Sequence, residues 1–471
     1  MTLSRRSFLA SAALARPFHV LAGPAPTDSR LEEVRHEYED FLYRTPIKFG
    51  GTVVDRVTLL NVHVTVSNPQ GKRAQGFGSM PLGNVWSWPT RSLRYDETLA
   101  AMKALAEKLT PLTRGYREYG HPVDINVALE PEYLKMAAEV SRRWSEPIPK
   151  LCTLVVASPF DAAIHDAYGK LHGVNCFSTY GPEFLRHDLG HYLGAEFTGD
   201  RLDRYVTKRA KPAMPLYHLV GAVDPITAED IKQRLNDGLP ETVPEWIERD
   251  GLTNIKIKLN GDDLKWDVER VVRVDRIAAE TQKKRGLAKW VYSLDFNERC
   301  PNIGYLMDFV RQVKEKTPEG FRRVQYIEQP TGRDLTKNRE NVMHEAAKLL
   351  PVVIDESLTE LESLHLAREM GYSGAALKAC KGQTQALLMG AAIQKYKMFL
   401  CVQDLTCPGA SLIHSASLAA HLPSVAAIEA NSRQYVPAAN KGWDEKFPGV
   451  FTIRGGVMNT RLLDGKGLGA V

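Results

Sequence analysis

Several features that would quickly assign a chain to a class are missing here. The six cysteines form no C-x-x-C pair and none of the cysteine–histidine spacings of a zinc motif. In a chain of 471 residues they are typical of buried small apolar side chains, and they do not decide the redox compartment. We expect no disulfide between Cys401 and Cys407, because one falls in a predicted strand and the other in the loop after it. The cysteines are Cys152, Cys176, Cys300, Cys380, Cys401 and Cys407.

Long apolar runs and long basic runs are also absent. No stretch reaches the roughly 20 apolar residues of a membrane-spanning helix, so membrane insertion is not expected. The net charge is only +5 at pH 7, and no cluster of Lys and Arg could follow a phosphate backbone. Nucleic acid is therefore not an expected partner. The composition, 44% hydrophobic and 25% charged, is that of a globular protein.

The first residues resemble a twin-arginine export signal. Arg5 and Arg6 precede a mildly apolar stretch, and small residues follow at Leu21–Ala25. This pattern predicts a signal peptide over residues 1–27 and export to the periplasm. If the signal is not used, the protein is expected in the cytoplasm.

A glycine-rich phosphate loop is missing after the first strand of the region from about residue 213, which argues against a doubly wound open sheet. Short β-branched runs alternate there with helical patterns, which predicts parallel βαβ units closing into a barrel. The predicted strands are Tyr217–Val223, Asn254–Leu259, Trp290–Asn297, Val324–Gln329, Val352–Glu356, Ala375–Lys378, Met398–Asp404 and Ala426–Ala430. The predicted helices between them include Asp263–Thr281, Ile303–Lys316, Asn338–Leu350, Glu360–Met370, Gln383–Tyr396 and Ala410–Leu422.

The preceding segment has a different pattern. Two alternating runs around a turn predict antiparallel strands at Arg56–Val66 and Arg73–Ser79. Helices are predicted near Asp96–Lys108 and Pro131–Trp144, and a third should begin with Ser158 as its N-cap. The last forty or so residues are expected to return to short strands. We therefore predict an α/β protein with a modified TIM-like (β/α)7β barrel (213–432), an α+β capping domain (28–212) and a C-terminal segment (433–471) packed on the cap.

Acidic residues stand where three successive predicted barrel strands end: Asp295, Glu328 and Asp355. Active sites of such barrels gather at these ends, and side chains at one level of adjacent strands converge. Three like charges repel unless a cation joins them, and an all-oxygen ligand set favours a hard ion. The sequence therefore predicts a magnesium site, with Mn²⁺ as a possible substitute.

Lysines occupy other strand ends of the same barrel. Lys256 and Lys258 lie two apart on one strand and share a face, and Lys378 follows the strand half-way round an eight-stranded barrel. A lysine with a lowered pKa can remove a proton beside a carboxylate when a metal stabilises the resulting enediolate. Lys258 is predicted as the base, and Lys378 would face the opposite side of a flat intermediate.

These residues resemble the enolase superfamily, in particular its muconate-lactonizing-enzyme subgroup. The resemblance implies a paired-lysine strand at Lys256-Ile257-Lys258, three metal ligands at the acids above, and the sixth-strand lysine at Leu377-Lys378. It also implies that Asn297 faces the substrate and that Gly76-Phe77-Gly78 belongs to a cap strand beside the pocket. Two mobile cap loops would cover the pocket, namely Arg44–Gly51 with Lys48 and Pro81–Pro89 with the exposed Trp86 and Trp88.

Asp404 and Glu429 at the last two strand ends have two open interpretations. They hydrogen-bond Lys378 or polarise the substrate, or they are structural. The opposed lysines favour a racemase or epimerase acting on a small carboxylate, and a family resemblance favours a homo-oligomer. A cycloisomerase, or a lyase like succinylbenzoate synthase, would need only one lysine. An exported, non-catalytic carboxylate-binding protein is the alternative from another class.

Overall fold

The computed structural model describes residues 23–469. The predicted twin-arginine motif lies outside the described residues. Twelve strands occur in the described part, and they belong to a cap sheet, a barrel and a short C-terminal addition. They are β1 Arg30–Phe49, β2 Thr52–Ser67, β3 Arg73–Pro81, β4 Ala213–Val220, β5 Asn254–Lys258, β6 Val291–Asp295, β7 Val324–Glu328, β8 Val352–Ile354, β9 Gly374–Leu377, β10 Phe399–Val402, β11 Ile428–Glu429 and β12 Val457–Asn459.

Helices pack on the cap sheet, surround the barrel and fill the C-terminal segment. The α-helices are α1 Asn84–Ser87, α2 Tyr95–Gly115, α3 Pro122–Ser141, α4 Lys150–His172, α5 Leu189–Leu193, α6 Val243–Asp250, α7 Leu264–Lys284, α8 Ile303–Lys316, α9 Pro318–Arg322, α10 His344–Ala347, α11 Leu361–Glu369, α12 Gln383–Lys395, α13 Ala410–His421, α14 Ser432–Tyr435, α15 Trp443–Lys446 and α16 Pro448–Phe451. Short 3-10 helices are Cys176–Thr179, Ala195–Phe197, Leu202–Arg204, Ala228–Asp230, Ala379–Lys381, Pro437–Asn440 and Arg461–Asp464. No helix in residues 23–469 combines the length and apolarity needed to cross a membrane.

Strands β4 to β11 form a closed parallel barrel. Each pairs with the next, and β11 returns to β4 through the pairs Ile428–Leu216 and Glu429–Tyr217. Every predicted barrel strand has a counterpart within a few residues. The predicted (β/α)7β barrel fold is therefore confirmed. β-branched runs that alternate with helices favour this topology.

The cap sheet contains a strand that the sequence analysis missed. Strands β1, β2 and β3 are antiparallel in that order, and β1 lies at the edge. Its residues carry many charges and are mostly exposed or half-buried, so its pattern reads as a polar segment. The expected loop Arg44–Gly51 is consequently the end of β1 and the turn into β2. The expected loop Pro81–Pro89 contains helix α1.

Helix boundaries supply further corrections. The helix predicted to begin at Ser158 runs from Lys150 to His172 and contains Pro159 in its interior. Pro159 has no N–H for the carbonyl of Val155, and the Ser158 hydroxyl donates to that carbonyl instead at 2.8 Å. Helix α3 likewise begins at Pro122, ahead of the expected start. The helix expected at Asn338–Leu350 shortens to α10.

The C-terminal segment is mainly helical turns, contrary to the expected short strands. Among residues 433–469, β12 is the only strand, and it is antiparallel to β4. It does pack on the cap: the backbone N–H of Cys176 donates to the Gly467 carbonyl at 2.7 Å, and the Phe77 and Trp443 rings stack. The six cysteines are all buried and free, as expected.

Candidate active site

The strand register aligns the first site residues at one level. Lys258 on β5 is the direct partner of Asp295 on β6, and Asp295 is the partner of Glu328 on β7. Asp355 follows β8, and Lys378 follows β9 directly. All five side chains are buried at the carboxyl ends of the strands. The structure thus brings the predicted metal ligands and lysines together in one place.

Lys256 is the hub of this group. Its ammonium lies 2.9 Å from Asp295 Oδ2, 3.0 Å from Glu328 Oε1 and 2.8 Å from Glu429 Oε2. Burial lowers the pKa of this lysine, but the three carboxylates outweigh burial and hold its pKa well above the ordinary value. Lys256 is therefore a fixed cation that joins three strands.

Lys258 lies on the same face of β5, as predicted from the two-residue spacing. Its ammonium is 2.5 Å from Asp295 Oδ2 and 5.9 Å from the centre of the Phe49 ring. Burial raises the pKa of Asp295, but the two ammonium groups outweigh burial and hold that pKa below its ordinary value. Asp295 is thus ionised and shared between Lys256 and Lys258.

Lys378 occupies the corresponding position on the far side of the barrel. Its ammonium lies 3.1 Å from Asp355 Oδ2, donates to the Asp404 carbonyl at 3.0 Å, and lies 4.8 Å above the Trp86 ring. Burial lowers its pKa, but the charges of Asp355 and Glu429 reverse the shift and raise it. These contacts hold Lys378 as a cation.

A fourth lysine, Lys381, joins the group from the turn after β9. It contacts Asp355 Oδ1 at 3.2 Å and donates to the Asp355 carbonyl. Burial lowers the pKa of Lys381. Burial also raises the pKa of Asp355, but Lys378 and Lys381 outweigh it and bring that pKa below its ordinary value.

Glu328 lies between the other two acids. Burial raises the pKa of its carboxyl well above the ordinary value, and the Asp295 charge raises it further. The amide of Gln403 donates both to Glu328 Oε2 and, at 3.3 Å, to the Tyr326 hydroxyl. The pKa of Glu328 is thus raised, whereas the pKa values of Asp295 and Asp355 are lowered.

The ligand types in the buried group fit a divalent cation. The group contains six carboxyl groups and four lysines. The members are Asp295, Glu328, Asp355, Glu356, Asp404 and Glu429 with Lys256, Lys258, Lys378 and Lys381. Carboxylate oxygens are the ligands of hard ions such as Mg²⁺. Within residues 23–469, one group of His, Cys, Asp or Glu side chains has three ligand atoms within 4.8 Å of one another, and it lies outside the barrel, at Asp124, His187 and His191. In the barrel, lysine ammoniums lie against the carboxylates.

Glu356 and its partners form one wall of the pocket. Its Oε1 accepts from the Trp86 indole at 2.9 Å and from the Asn297 amide at 3.3 Å. Burial and then the Asp355 charge raise the pKa of Glu356 to about 7. Trp86 and Trp88 are buried at 4% and 3% exposure, so the expectation of two exposed tryptophans is wrong.

A cavity of about 740 Å³ opens above this wall, between the cap and the barrel. Lys48, Trp86 and Asn297 line it, as the sequence analysis expected for substrate-facing residues. Lys48 donates to Asn260 Oδ1 at 3.0 Å, which joins the end of β1 to the loop after β5. The cavity also takes in Glu356, Arg299 and Arg333, so a charged substrate would meet both signs of charge there.

Asp404 and Glu429 have different surroundings. The Asp404 carboxylate accepts backbone N–H groups of Thr406, Cys407 and Asn431, and its contact with Lys378 is through the carbonyl alone. Burial and then the Glu429 charge raise the pKa of Asp404 to about 7. Glu429 binds Lys256, not Lys378. Their contacts favour the structural interpretation for Asp404 and a charge-balancing one for Glu429.

The sequence analysis gave no role to Lys381, Gln403 and Glu356. Each is adjacent to a predicted site residue or a few positions beyond it, and each is polar and buried. Buried polar residues at a strand end are the signal that could have found them.

The fold and this site define an enolase-like barrel protein. A family model described as "Enolase C-terminal domain-like" matches residues 239–471. The part of the chain from residue 239 onward is thus similar to the C-terminal domain of enolase-like proteins. No curated protein sequence matches the chain significantly.

Solved structures share the fold at low sequence identity. The L-Ala-D/L-Glu epimerase from Bacillus subtilis has a TM-score of 0.61 at 14% identity, with 94% of this chain and 98% of that chain covered. A muconate lactonizing enzyme from Pseudomonas fluorescens has a TM-score of 0.55 at 16% identity, covering 85% and 87%. A dipeptide epimerase from Enterococcus faecalis, solved with Mg and the dipeptide L-Leu-L-Tyr, has a TM-score of 0.55 at 12% identity, covering 86% and 91%.

Proposed function

We propose that the protein is a racemase or epimerase that removes and returns the proton on the carbon beside a substrate carboxylate. The observation that carries this proposal is the placement of Lys258 and Lys378. They stand at the ends of β5 and β9, four strands apart in a closed barrel of eight. Two amines at opposite strand ends of one barrel can serve opposite faces of a flat intermediate.

The proposed cofactor is Mg²⁺, with Mn²⁺ as a possible substitute. Asp295, Glu328 and Asp355 would hold it, since they supply buried oxygen ligands at the ends of neighbouring strands. When bound, the metal supplies positive charge to the carboxylate of the substrate and so favours the loss of the adjacent proton. The dipeptide epimerase with Mg supports this assignment by its shared fold.

In this proposal the chain's own groups divide the work. Lys258 accepts the proton on one face, and Lys378 donates a different proton, its own ammonium proton, on the other; exchange with solvent then restores both lysines. Lys256 stays a fixed cation because three carboxylates surround it. Phe49 and Trp86 lie against the two working lysines and exclude water from them.

Deuterium exchange tests the proposal. Small carboxylates, dipeptides and N-acylamino acids among them, would be incubated with the full chain and Mg²⁺ in deuterated water. A racemase incorporates solvent deuterium at the α-carbon of both enantiomers. Lys258→Ala and Lys378→Ala should each lower this exchange about 100-fold or more on one enantiomer. Lys441→Ala, at an exposed lysine, is the control. Full exchange by Lys258→Ala would refute the assignment.

One observation favours a second candidate, a cycloisomerase or lyase of the same superfamily. Lys378 is held by a carboxylate, a carbonyl and an aromatic ring at once, which suits a fixed charge better than a proton carrier. Exchange that needs only Lys258, with a change in the carbon skeleton or mass of the product, would select this candidate. Carboxylate binding without Mg²⁺-dependent exchange would instead identify a non-catalytic binding protein.

We also propose export through the twin-arginine route and assembly as a homo-oligomer. Replacement of both Arg5 and Arg6 by Lys should retain the protein in the cytoplasm, as measured by cell fractionation. Light scattering after size-exclusion chromatography measures the assembly, and a single-chain mass would refute that part.

A further inference from the structure

A cluster of metal-ligating side chains lies on the cap, apart from the barrel site. Asp124, His187 and His191 each place one ligand atom so that all three atoms lie within 4.8 Å of one another. Asp124 is in the first turn of α3, whereas His187 precedes α5 and His191 lies within it. The cluster therefore joins two segments that are more than sixty residues apart in sequence.

The two histidine rings are already arranged side by side. Their centroids are 3.9 Å apart and their planes differ by 13°. Asp188 caps α5 by accepting the His191 N–H, and His187 lies directly before this cap. A ring nitrogen of each histidine lies within 4.8 Å of an oxygen of the same Asp124 carboxylate.

The carboxylate is held in place from behind. The Tyr192 hydroxyl donates to Asp124 Oδ1 at 2.5 Å, which leaves the second oxygen available to a metal. Such a hydrogen bond orients a ligating carboxylate and is typical of metal sites. Asp124 and His187 are half-buried and His191 is exposed, so an ion can reach them from solvent.

We propose that Asp124, His187 and His191 form a second metal site, which takes Zn²⁺ or a similar transition-metal ion. Imidazole nitrogens favour such ions, and Mg²⁺ prefers oxygen ligands. Tetrahedral zinc with bonds of about 2.0–2.1 Å needs ligand atoms about 3.4 Å apart, which asks for side-chain shifts of about 1 Å. Water completes the coordination. The ion ties the segment around α5 to the start of α3, and it is chemically distinct from the ion of the barrel.

A metal titration of the full chain tests this proposal. Excess Mg²⁺ is present throughout to occupy the barrel carboxylates, and Co²⁺ then serves as the visible probe and Zn²⁺ as the competitor. We expect one equivalent of Co²⁺ to bind with visible absorption that Zn²⁺ removes. His187→Gln and His191→Gln should each abolish this binding. Asp295→Asn, in the barrel, should leave it unchanged.

Two further variants separate a built site from chance binding. Tyr192→Phe keeps all three ligands but frees the carboxylate, so the affinity should fall about 10-fold. His365→Gln is the control, because His365 lies 3.0 Å from Glu196 and is not part of the proposed metal site. Co²⁺ binding should be unaffected by this variant. Binding that survives both ligand variants, or that His365→Gln removes, would overturn the proposal.

Chemical modification provides a measurement on the unaltered chain. Zn²⁺ should protect His187 and His191 from diethylpyrocarbonate, as read by mass spectrometry of peptides, while Mg²⁺ should not. His365 is the internal reference, since its side chain is 43% exposed. Equal modification of all three histidines with and without Zn²⁺ contradicts the site.

Discussion

At the scale of single residues, the site is a network of buried charges in which lysines separate carboxylates. The positions of Asp295, Glu328 and Lys378 could be predicted because strand ends follow from the alternating pattern. Their partners could not, because loop residues such as Lys381 reach the site through turns that carry no period. The same holds for Trp86, whose burial depends on the cap docking over the barrel.

Trp86 and Glu356 should be energetically coupled. Trp86→Phe keeps an aromatic ring beside Lys378 but removes the N–H that Glu356 accepts at 2.9 Å. We expect a coupling free energy of about 1–2 kcal/mol between Trp86→Phe and Glu356→Gln. The first variant removes the donor of the hydrogen bond, and the second replaces its carboxylate acceptor by an uncharged amide. Urea unfolding of the single and double variants measures it. Strictly additive effects would contradict the hydrogen bond.

At the scale of elements, the cap is defined by the contact of β3 with α4. A Cβ on Gly78 would lie 2.0 Å from the Pro159 carbonyl, and one on Gly76 would lie 2.2 Å from the Ala163 carbonyl. The glycines that the family resemblance placed beside the pocket thus serve close packing of a strand on a helix. The sequence predicted β3 but not the extent of α4, because a helix buried on nearly all sides has no amphipathic period.

Gly78→Ala should therefore destabilise the protein. The added methyl group meets backbone, which cannot move aside, so we expect a loss of about 1–3 kcal/mol or more in the free energy of unfolding. Gly115→Ala, at the end of α2, has nothing within 4 Å of the new Cβ and should be neutral or stabilising. Chemical denaturation measures both. A loss at Gly115 equal to that at Gly78 would contradict the packing argument.

Two buried histidines of helix α13 should make the free energy of unfolding depend on pH. Burial lowers the pKa of both His414 and His421 to about 4, whereas unfolded histidine titrates near 6.5. The unfolded chain therefore binds more protons between these values, and stability is lost as the pH falls from about 6.5 to 4. Each proton contributes a slope of up to about 1.4 kcal/mol per pH unit.

The measurement is the free energy of unfolding at several pH values with and without His414→Gln. The variant should flatten the slope between pH 6.5 and 4 by up to about 1.4 kcal/mol per pH unit, which is the contribution of one histidine. An unchanged slope would show that His414 is already protonated in the folded state, contrary to its burial.

At the scale of the whole molecule, Asp166 connects the cap sheet, helix α4 and the C-terminal segment. Its carboxylate accepts the N–H groups of Phe77 and Leu468, both at 2.9 Å, and pairs with Lys170 at 2.8 Å. The packing of the tail on the cap was predicted from the order of elements along the chain. The contact residues were not, because they are backbone groups that any sequence would supply.

Asp166→Asn should cost about 2–4 kcal/mol of unfolding free energy, because an amide cannot accept both N–H groups and leaves Lys170 without its partner. Asp464→Asn is the matched control. Asp464 also accepts a distant backbone N–H, from Ala210 at 2.7 Å, but it is 45% exposed and its loss should stay below about 1 kcal/mol. Similar losses at both positions would contradict a central role of Asp166.

The closure of the barrel at β4 also sets an order of events during synthesis. Strand β4 waits for β11, which pairs with it through two residues only, and for β12 further along the chain. Nearly all of the polypeptide must therefore leave the ribosome before the barrel can close. Until then, the six acids and four lysines of the buried site cannot all be enclosed by the barrel. A nascent chain that stalls before Ile428 would hold every proposed catalytic residue yet present an open sheet edge to chaperones.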